Sequence, residues 1–265
     1  MKDKKDTICL FFDFDGTTFV DGIFPKEIED AIKNAQKKGA KIYMNTGRSK
    51  PSLFQDLKKR TDIRFDGYLC AFSCMYLGNE GEETIFEHHM NMSDVENFID
   101  YCEKYSYWAT VDIEGYGPHT IELHGHITYS DKEKKEICDK AREFIKGQKI
   151  VKFCVYPPVS VNYVAKNLTE ENPNVDWIRT ERGYECTLKN FGKGILLNEF
   201  AKVTGYNPDN FIVFGDSEND INMFEHAKTS VAMAHSPKNL KDLATYVATT
   251  KYGVAEYLNK IFKND

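Results

Sequence analysis

The sequence predicts an α/β fold in which a Rossmann-like parallel sheet is interrupted by an inserted α+β domain. The first 60 residues predict strand, helix, strand and helix, the alternation that builds parallel sheets with crossover helices. Between residues 84 and 187 hairpins are mixed with helices, and from residue 188 the first alternation returns. We therefore expect one domain from residues 1–83 and 188–265, and a second domain from residues 84–187.

Composition limits the classes of function that fit this chain of 265 residues. A net charge of −6 argues against a nucleic-acid groove or an anionic membrane surface as the main partner. The apolar runs fall short of the ~20 residues that a membrane-spanning helix needs, and we expect no signal peptide. The seven cysteines include no C-x-x-C pair, which favours reduced thiols over a disulfide framework or a zinc site. We expect a cytoplasmic monomer or weak homodimer that acts on a small molecule.

The first predicted strand ends on two carboxylates. Residues 8–12 form an apolar run that breaks on Asp13, a pattern typical of a buried parallel strand. Such a strand delivers its last residues to the carboxyl edge of the sheet, where open α/β folds bind ligands. Asp13 and Asp15 would repel each other unless a cation lies between them or one of them keeps a proton. Mg²⁺ takes one or two carboxylates together with a substrate phosphate, and Gly16 permits a tight turn.

The remainder of the first segment predicts further strands and helices of the same sheet. Helix, strand, helix and strand are expected over residues 26–38, 40–44, 51–59 and 67–77, and the last strand is expected to continue into a hairpin near residues 78–81. Apolar residues three and four apart indicate the first of these helices, and Gly39 ends it. The strand at residues 40–44 ends in Asn45-Thr46-Gly47-Arg48, so polar residues again follow a strand.

The inserted segment predicts short strands and amphipathic helices in alternation. Strands are expected over residues 107–113, 120–123, 150–156, 175–180 and 184–188, and helices over residues 94–104, 131–146 and 159–168. Ser93 is a candidate N-cap for the first of these helices, because its hydroxyl can accept a hydrogen bond from the first turn.

The last segment returns to the first pattern. Strands are expected over residues 211–214, 229–234 and 246–248, and helices over residues 194–203, up to 225, up to 243 and 254–262. Lys193 stands just before the first of these helices. The strand at residues 211–214 breaks on Gly215-Asp216-Ser217-Glu218-Asn219-Asp220, a third polar cluster at a strand end. Parallel strands bring such ends to one edge, so the clusters can converge.

The order of these motifs resembles the haloacid dehalogenase superfamily of phosphohydrolases. Asp13-Phe14-Asp15-Gly16-Thr17 is followed by Thr46, then by Lys193, and then by Gly-Asp-Ser-x-Asn-Asp from residue 215. The insertion between the second and third motifs is similar to the α+β cap of the Cof-type branch. The resemblance covers nearly the whole chain and implies a Mg²⁺-dependent phosphatase that hydrolyses small phosphate monoesters.

The resemblance also implies a role for each motif residue. Asp13 would attack phosphorus and become an aspartyl phosphate. Asp15 would protonate the leaving oxygen and then activate water, which requires its side chain to hold a proton at working pH. The implied Mg²⁺ ligands are Asp13, the backbone carbonyl of Asp15, and Asp216, with Asp220 in the outer shell. The implied phosphate-binding groups are Thr46, Lys193, Asn219 and the backbone N–H groups of Phe14 and Gly47. Glu122, His124 and His126, on or just past a strand of the cap, are candidate substrate contacts.

Alternatives stay open at this level. A phosphomutase or phosphotransferase would carry the same motifs and differ in its acceptor, and a non-catalytic sensor of sugar phosphates would have lost turnover. Some of the residues also have a purely structural alternative. Thr46 could be a helix N-cap, and Asp220 could interact with the dipole at a helix N-terminus. Lys193 could be a surface lysine, and Arg48 could pair with a surface acid.

One departure from the family pattern lies beside the predicted site. Cof-type sequences usually carry Asn-Gly after the third core strand, and this chain has Ala71-Phe72-Ser73-Cys74 there. The pattern leaves the geometry of that turn, the physiological substrate and the oligomeric state undetermined.

Overall fold

A computed structural model describes residues 4–123, 127–157, 168–170, 172–180 and 183–263. The chain divides into two compact units, of which the first comprises Met1–Arg48, Leu53–Glu87 and Gly192–Asp265. The second unit comprises Ser49–Ser52 and His88–Phe191. The units therefore change at 87/88 and 191/192, where the sequence prediction has 83/84 and 187/188.

The strands and helices follow the predicted alternation. In chain order the strands are β1 (Cys9–Phe12), β2 (Lys41–Thr46), β3 (Gly67–Cys70), β4 (Cys74–Leu77), β5 (Glu83–Glu87), β6 (Trp108–Ile113), β7 (Gly117–Ile121), β8 (Ile150–Tyr156), β9 (Val175–Arg179), β10 (Tyr184–Leu188), β11 (Phe211–Gly215), β12 (Thr229–Ala232) and β13 (Tyr246–Val247). The helices are α1 (Lys26–Lys37), α2 (Lys50–Arg60), α3 (Met92–Tyr105), α4 (Asp131–Ile145), α5 (Lys193–Thr204), α6 (Ile221–Glu225), α7 (Lys238–Leu243) and α8 (Gly253–Ile261).

The first unit is built on a sheet of eight strands within the described residues, in the order β13-β12-β11-β1-β2-β3-β4-β5. The strands from β13 to β3 run parallel, and β4 and β5 run antiparallel to their neighbours. β1 lies near the middle, and all four of its side chains are buried. Cys9 and Phe11 belong to the core under α5, α6 and α7. On the other face α1 and α8 pack together, and Tyr257 of α8 meets Phe214 of β11 edge-on.

The predicted third strand is wrong in one respect. Residues 67–77 form a tight hairpin, β3 and β4, in which Cys70 lies opposite Cys74. Two non-glycine residues make the turn at positive φ, Ala71 at 51° and Phe72 at 62°. Such backbone costs on the order of 1 kcal/mol or more per residue, and here Phe72 is fully buried. Ala71 and Phe72 therefore make this turn without a glycine, at the cost of backbone strain.

The second unit is an α+β layer. Where the structure describes it, its antiparallel sheet has the order β7-β6-β8-β10-β9. α3 and α4 pack together, and their apolar stripes share one hydrophobic core with the sheet. α3 begins at Met92 with Asn91 at the N-cap position, so the predicted N-cap Ser93 lies inside the first turn instead. The predicted helix over residues 159–168 lies almost wholly outside the described residues.

No helix among the described residues is both long and apolar enough to cross a bilayer.

Candidate active site

The three strand ends that carry the sequence motifs lie side by side. β1 pairs with β11 on one side and with β2 on the other, all in parallel. Asp13 follows β1, Thr46 is the last residue of β2, and Asp216 follows β11. The backbone N–H of Asp13 donates to the carbonyl of Phe214 at 2.9 Å, which aligns the end of β1 with the end of β11. The structure therefore brings the motifs to the edge where the sequence predicts them.

Lys193 is the centre of this cluster and is completely buried. Its Nζ donates to Asp13 Oδ1 and to Asp220 Oδ1, each at 2.6 Å, and to Asn219 Oδ1 at 3.0 Å. Because both carboxylates neutralise the ammonium group, a lysine is tolerated where a lone charge would be very costly. The alternative of a surface lysine is therefore wrong.

Close packing of two helices delivers Lys193 to the cluster. The N–H of Gly194 donates to Asn222 Oδ1 at 2.9 Å, so Asn222 of α6 caps the start of α5. A Cβ on Gly194 would collide with the backbone carbonyl of Asn222, so only glycine allows this approach. Asn45, beside Thr46, donates from Nδ2 to the carbonyl of Lys193 at 3.0 Å. The backbone of Lys193 is thereby fixed, as its ammonium group is by the two carboxylates.

Burial sets the electrostatics of the acids. It raises the pKa of Asp13 well above its ordinary value, and the nearby charge of Lys193 opposes that rise. Burial and the charge of Asp220 likewise raise the pKa of Asp216. Burial alone would lower the pKa of Lys193, but the charges of Asp13 and Asp220 raise it. If all three acids are ionised, the cluster contains more negative charge than Lys193 can balance.

This excess charge and its ligand atoms fit a divalent cation. Carboxylate oxygens of Asp13, Asp216 and Asp220 all lie within 4.8 Å of one another. Hard cations such as Mg²⁺ prefer oxygen ligands of this kind. Asp220 Oδ2 already accepts the N–H groups of Asp216 and Ser217, at 2.9 and 3.1 Å, and Oδ1 accepts from Lys193. Asp13 and Asp216 are thus better placed to bind a cation directly, with Asp220 behind them.

Residues of the turn after β1 hold the Asp216 carboxylate in place. Thr17 Oγ1 donates to Asp216 Oδ1 at 2.8 Å, and Thr18 Oγ1 donates to the carbonyl of Asp13 at 2.9 Å. Gly16 has a φ of +81°, and a Cβ there would collide with the Asp216 carboxylate. Glycine is therefore required by both the turn and the close approach.

Asp15 lies apart from this buried cluster. Its side chain is 52% exposed and accepts hydrogen bonds from Arg48 at both carboxylate oxygens. The expectation for a general acid was a proton kept in surroundings short of water. In this structure the carboxylate is instead paired with a guanidinium and open to solvent.

Thr46 ends β2, the strand that pairs with β1, and Gly47 follows it. Thr46 is buried, and its Oγ1 accepts the N–H of Arg48 at 3.2 Å. Because α2 begins only at Lys50, Thr46 is not the N-cap of that helix. Phe14, whose N–H is a predicted phosphate ligand, is fully buried and stacks on Phe19 at 4.8 Å between ring centroids.

The predicted cap contacts are only partly described. Glu122 directly follows β7 and is exposed, and its carbonyl accepts the Tyr129 hydroxyl at 3.3 Å. His124 and His126 lie outside the described residues.

Several residues of the site were missed by sequence reasoning. Asn45 and Asn222, which fix Lys193, each stand within two residues of a motif residue and could have been found there. His235 has its Nε2 at 3.3 Å from Asp216 Oδ2 and follows β12 at the same sheet edge. The sequence signal for His235 was the presence of polar residues after β12. A small hairpin closed by Val20 and Ile23 extends the turn after Thr18.

This architecture defines an α/β enzyme whose carboxylate–lysine centre lies at the carboxyl edge of a parallel sheet. The chain belongs to the haloacid dehalogenase-like hydrolases, since the sequence model of that family matches residues 10–258. The predicted resemblance to the haloacid dehalogenase superfamily is confirmed, as is the α/β fold with a separate α+β unit.

Known proteins similar to this chain carry phosphatase names. A phosphoglycolate phosphatase of Methanosarcina acetivorans is 34% identical over 90 residues, which are 34% of this chain and 40% of that protein. One of Nitrosopumilus maritimus is 26% identical over 199 residues, 70% of this chain and 83% of that protein. A solved phosphatase of the haloalkanoate superfamily from Bacteroides thetaiotaomicron superposes with a TM-score of 0.80 at 17% identity. That match covers 98% of this chain and 96% of the other, and at such identity it shows the fold alone.

Proposed function

We propose that this protein is a Mg²⁺-dependent phosphatase that hydrolyses small phosphate monoesters through an aspartyl phosphate on Asp13. The observation that carries the proposal is the convergence of Asp13, Asp216 and Asp220 around the buried Lys193. This arrangement offers a nucleophile, a cation site and a fixed positive charge within one hydrogen-bonded cluster.

The names of the relatives support the substrate class. Two archaeal relatives are phosphoglycolate phosphatases, and a Bacillus subtilis relative is a 5-amino-6-(5-phospho-D-ribitylamino)uracil phosphatase, 20% identical over 264 residues. All three names denote phosphatases that act on phosphate monoesters of small metabolites. A phosphate monoester of a small metabolite, such as a sugar phosphate, is therefore the proposed substrate class.

Mg²⁺ is the proposed cofactor because the donor atoms are carboxylate oxygens. Asp13, the carbonyl of Asp15, and Asp216 would hold it, and Asp220 would orient Asp216 through the backbone N–H groups that it accepts. When bound, the ion supplies positive charge beside the phosphoryl oxygens of the substrate.

In the first step, a carboxylate oxygen of Asp13 attacks phosphorus while the bond from phosphorus to the ester oxygen breaks. Asp15 gives its proton to that leaving oxygen, so the product is a neutral alcohol. Lys193, Thr46, Asn219 and the N–H groups of Phe14 and Gly47 bind the three phosphoryl oxygens. Fixed donors are effective here because charge spreads over these oxygens in the transition state.

In the second step, Asp15, now ionised, takes a proton from a water molecule. The resulting hydroxide attacks phosphorus, the bond to the Asp13 oxygen breaks, and inorganic phosphate leaves. Asp13 is restored as a carboxylate and Asp15 as an acid. Residues 84–187 are proposed to act as a cap, in which Glu122, His124 and His126 contact the part of the substrate beyond the phosphate.

The test is release of inorganic phosphate from a panel of esters, with and without Mg²⁺, by the native protein and by Asp13→Asn. We expect turnover that depends on Mg²⁺ and that the substitution abolishes, while circular dichroism shows an unchanged fold. Substantial Mg²⁺-dependent turnover by Asp13→Asn would exclude Asp13 as the nucleophile. Transfer of phosphate only to a second hydroxyl, rather than to water, would indicate a mutase instead.

A further inference from the structure

Arg48 joins two carboxylates through one guanidinium group. Its Nη2 donates to Asp15 Oδ1 at 2.6 Å, and its Nε donates to Asp15 Oδ2 at 2.7 Å. Its Nη1 donates to Asp56 Oδ2 at 2.7 Å. Asp15 is thus held at both oxygens by one planar fork, the geometry in which arginine fixes the direction of a carboxylate as well as its position.

The fork itself is held in place from two other directions. The guanidinium carbon lies 4.9 Å from the ring centroid of Phe14, the residue between the two motif acids. The backbone of Arg48 donates to Thr46 Oγ1 at 3.2 Å and accepts the N–H of Ala71 at 2.9 Å. Arg48 is therefore tied to the end of β2, to the β3–β4 turn and to the ring that separates Asp13 from Asp15.

We propose that Arg48 is a positioning residue for Asp15, and that Asp56 anchors it. This inference rests on the proposed function, in which Asp15 gives and later takes a proton. Asp15 lies on an exposed turn, so without the fork its side chain would sample several rotamers, few of them directed at the leaving oxygen. Asp15 must release at least one of its two bonds to Arg48 to reach the substrate. The bond to Asp56 keeps the fork in place while it does so.

Arg48→Gln tests the proposal through the leaving group. An alkyl phosphate needs a proton as its ester bond breaks, whereas nitrophenyl phosphate does not. We expect the first-step rate, measured by rapid mixing, to fall about 10- to 100-fold on the alkyl ester and only a few-fold on nitrophenyl phosphate. Arg48→Lys keeps the charge but not the planar fork, so its first-step rate on the alkyl ester should lie between those of the native protein and Arg48→Gln. Arg64→Gln, the same change at an exposed arginine of the first unit, should leave both rates unchanged.

Two further variants keep the test decisive. In an Asp15→Asn background, Arg48→Gln should cause no additional loss on the alkyl ester, because Arg48 acts through Asp15. Asp56→Asn leaves the bonds between Arg48 and Asp15 in place and should give a smaller loss with the same leaving-group dependence. That second variant carries the test if Arg48→Gln does not fold.

The outcomes separate this inference from the proposed function. The positioning role would be overturned if Arg48→Gln lowered the first-step rate equally on both esters, or if it raised turnover. It would also be overturned if the rate losses of Arg48→Gln and Asp15→Asn were additive in the double variant. The proposed function would fail instead if Asp15→Asn lowered the first-step rate equally on both esters, or if the native protein released no phosphate.

Discussion

Two buried lysines of this protein lie between carboxylates, one in each unit. In the first unit Lys193 bonds Asp13 and Asp220 at 2.6 Å, and neither the lysine nor Asp220 is exposed. In the second unit Lys152 of β8 lies 3.0 Å from Glu185 of β10 and 3.8 Å from Asp112 of β6. Composition alone would not distinguish the two clusters.

The difference lies in how the backbone arranges the acids. Asp112, Lys152 and Glu185 lie within antiparallel strands, where Asp112 is directly opposite Lys152 and each acid contacts the lysine across the ladder. Asp13 and Asp216 come from the ends of parallel strands, and the turns there let them converge with Asp220 to within 4.8 Å. If all are ionised, three carboxylates and Lys193 leave a formal charge of −2, which one divalent cation would neutralise. Topology, rather than residue type, thus makes the first cluster a candidate reaction centre.

The largest expected contrast comes from removing each lysine. Lys193→Met should lower phosphate release by about 10³-fold or more, because a fixed donor to the phosphoryl oxygens is lost. Lys152→Met should leave turnover of nitrophenyl phosphate within a few-fold of the native value. Both variants should lose about 3 kcal/mol of unfolding free energy, since each leaves buried acids without their base.

Phosphate release and urea unfolding, measured on both variants, check this contrast. Equal stability losses with unequal activities would agree with it. An inactive but folded Lys152→Met variant would mean that the two clusters do not differ in function as their topology indicates.

The next effect is a dependence of Mg²⁺ binding on pH. Because burial raises the pKa of Asp13 and Asp216, the metal-free folded state binds protons there more tightly than the unfolded chain does. Its stability is therefore favoured at low pH and falls as pH rises from the ordinary Asp value of 3.8 towards the raised values. Mg²⁺ requires the ionised acids, so the stabilisation it gives should increase as pH rises from the ordinary Asp value of 3.8 through the raised values.

Thermal unfolding with Mg²⁺ and with a chelator measures this effect. At 100 times its dissociation constant the ion should add about 2.7 kcal/mol near pH 8. Asp216→Asn should remove most of the Mg²⁺ shift at every pH. Asp112→Asn, the matched change in the second cluster, should keep it. A shift that did not vary with pH, or that vanished in Asp112→Asn, would contradict the placement of the cation.

The strand ends of the first unit were predictable because each is an apolar run that breaks on polar residues. That pattern placed Asp13, Thr46 and Asp216 at one edge before any geometry was known. The bonds of Lys193 were not predictable in detail, since they depend on Gly194 letting α5 approach α6. The sequence indicated that Lys193 belongs to the series but not that it is buried.

The β3–β4 hairpin and the contacts of Arg48 were missed for a different reason. Ala71 and Phe72 are not turn residues by local preference, and tertiary contacts impose their positive φ. Phe72 is fully buried and the N–H of Ala71 donates to Arg48. Arg48 meets Asp15 only because β1 and β2 are neighbours, although the two residues lie 33 positions apart in the chain. Local patterns do not carry such information.

The smallest expected effect distinguishes orientation of a metal ligand from ordinary packing. Thr17 and Thr18 are adjacent and both buried, but Thr17 Oγ1 donates to the Asp216 carboxylate whereas Thr18 Oγ1 donates to the backbone of Asp13. Replacing either threonine by valine keeps the shape and should cost about 1 kcal/mol of stability through the lost hydrogen bond. Thr17→Val should also weaken Mg²⁺ binding about tenfold, because Asp216 loses the donor that orients it.

Mg²⁺ titrations of the two variants, followed by calorimetry, compare them directly. Thr18→Val serves as the control, since it loses a buried hydrogen bond of similar length without touching a carboxylate of the cluster. Its Mg²⁺ affinity should match that of the native protein. If both variants lost affinity equally, the hydroxyl of Thr17 would act only through the general packing of the turn. If only Thr17→Val lost affinity, Mg²⁺ binding at the Lys193 cluster would depend on the orientation that the Thr17 hydroxyl gives to the Asp216 carboxylate.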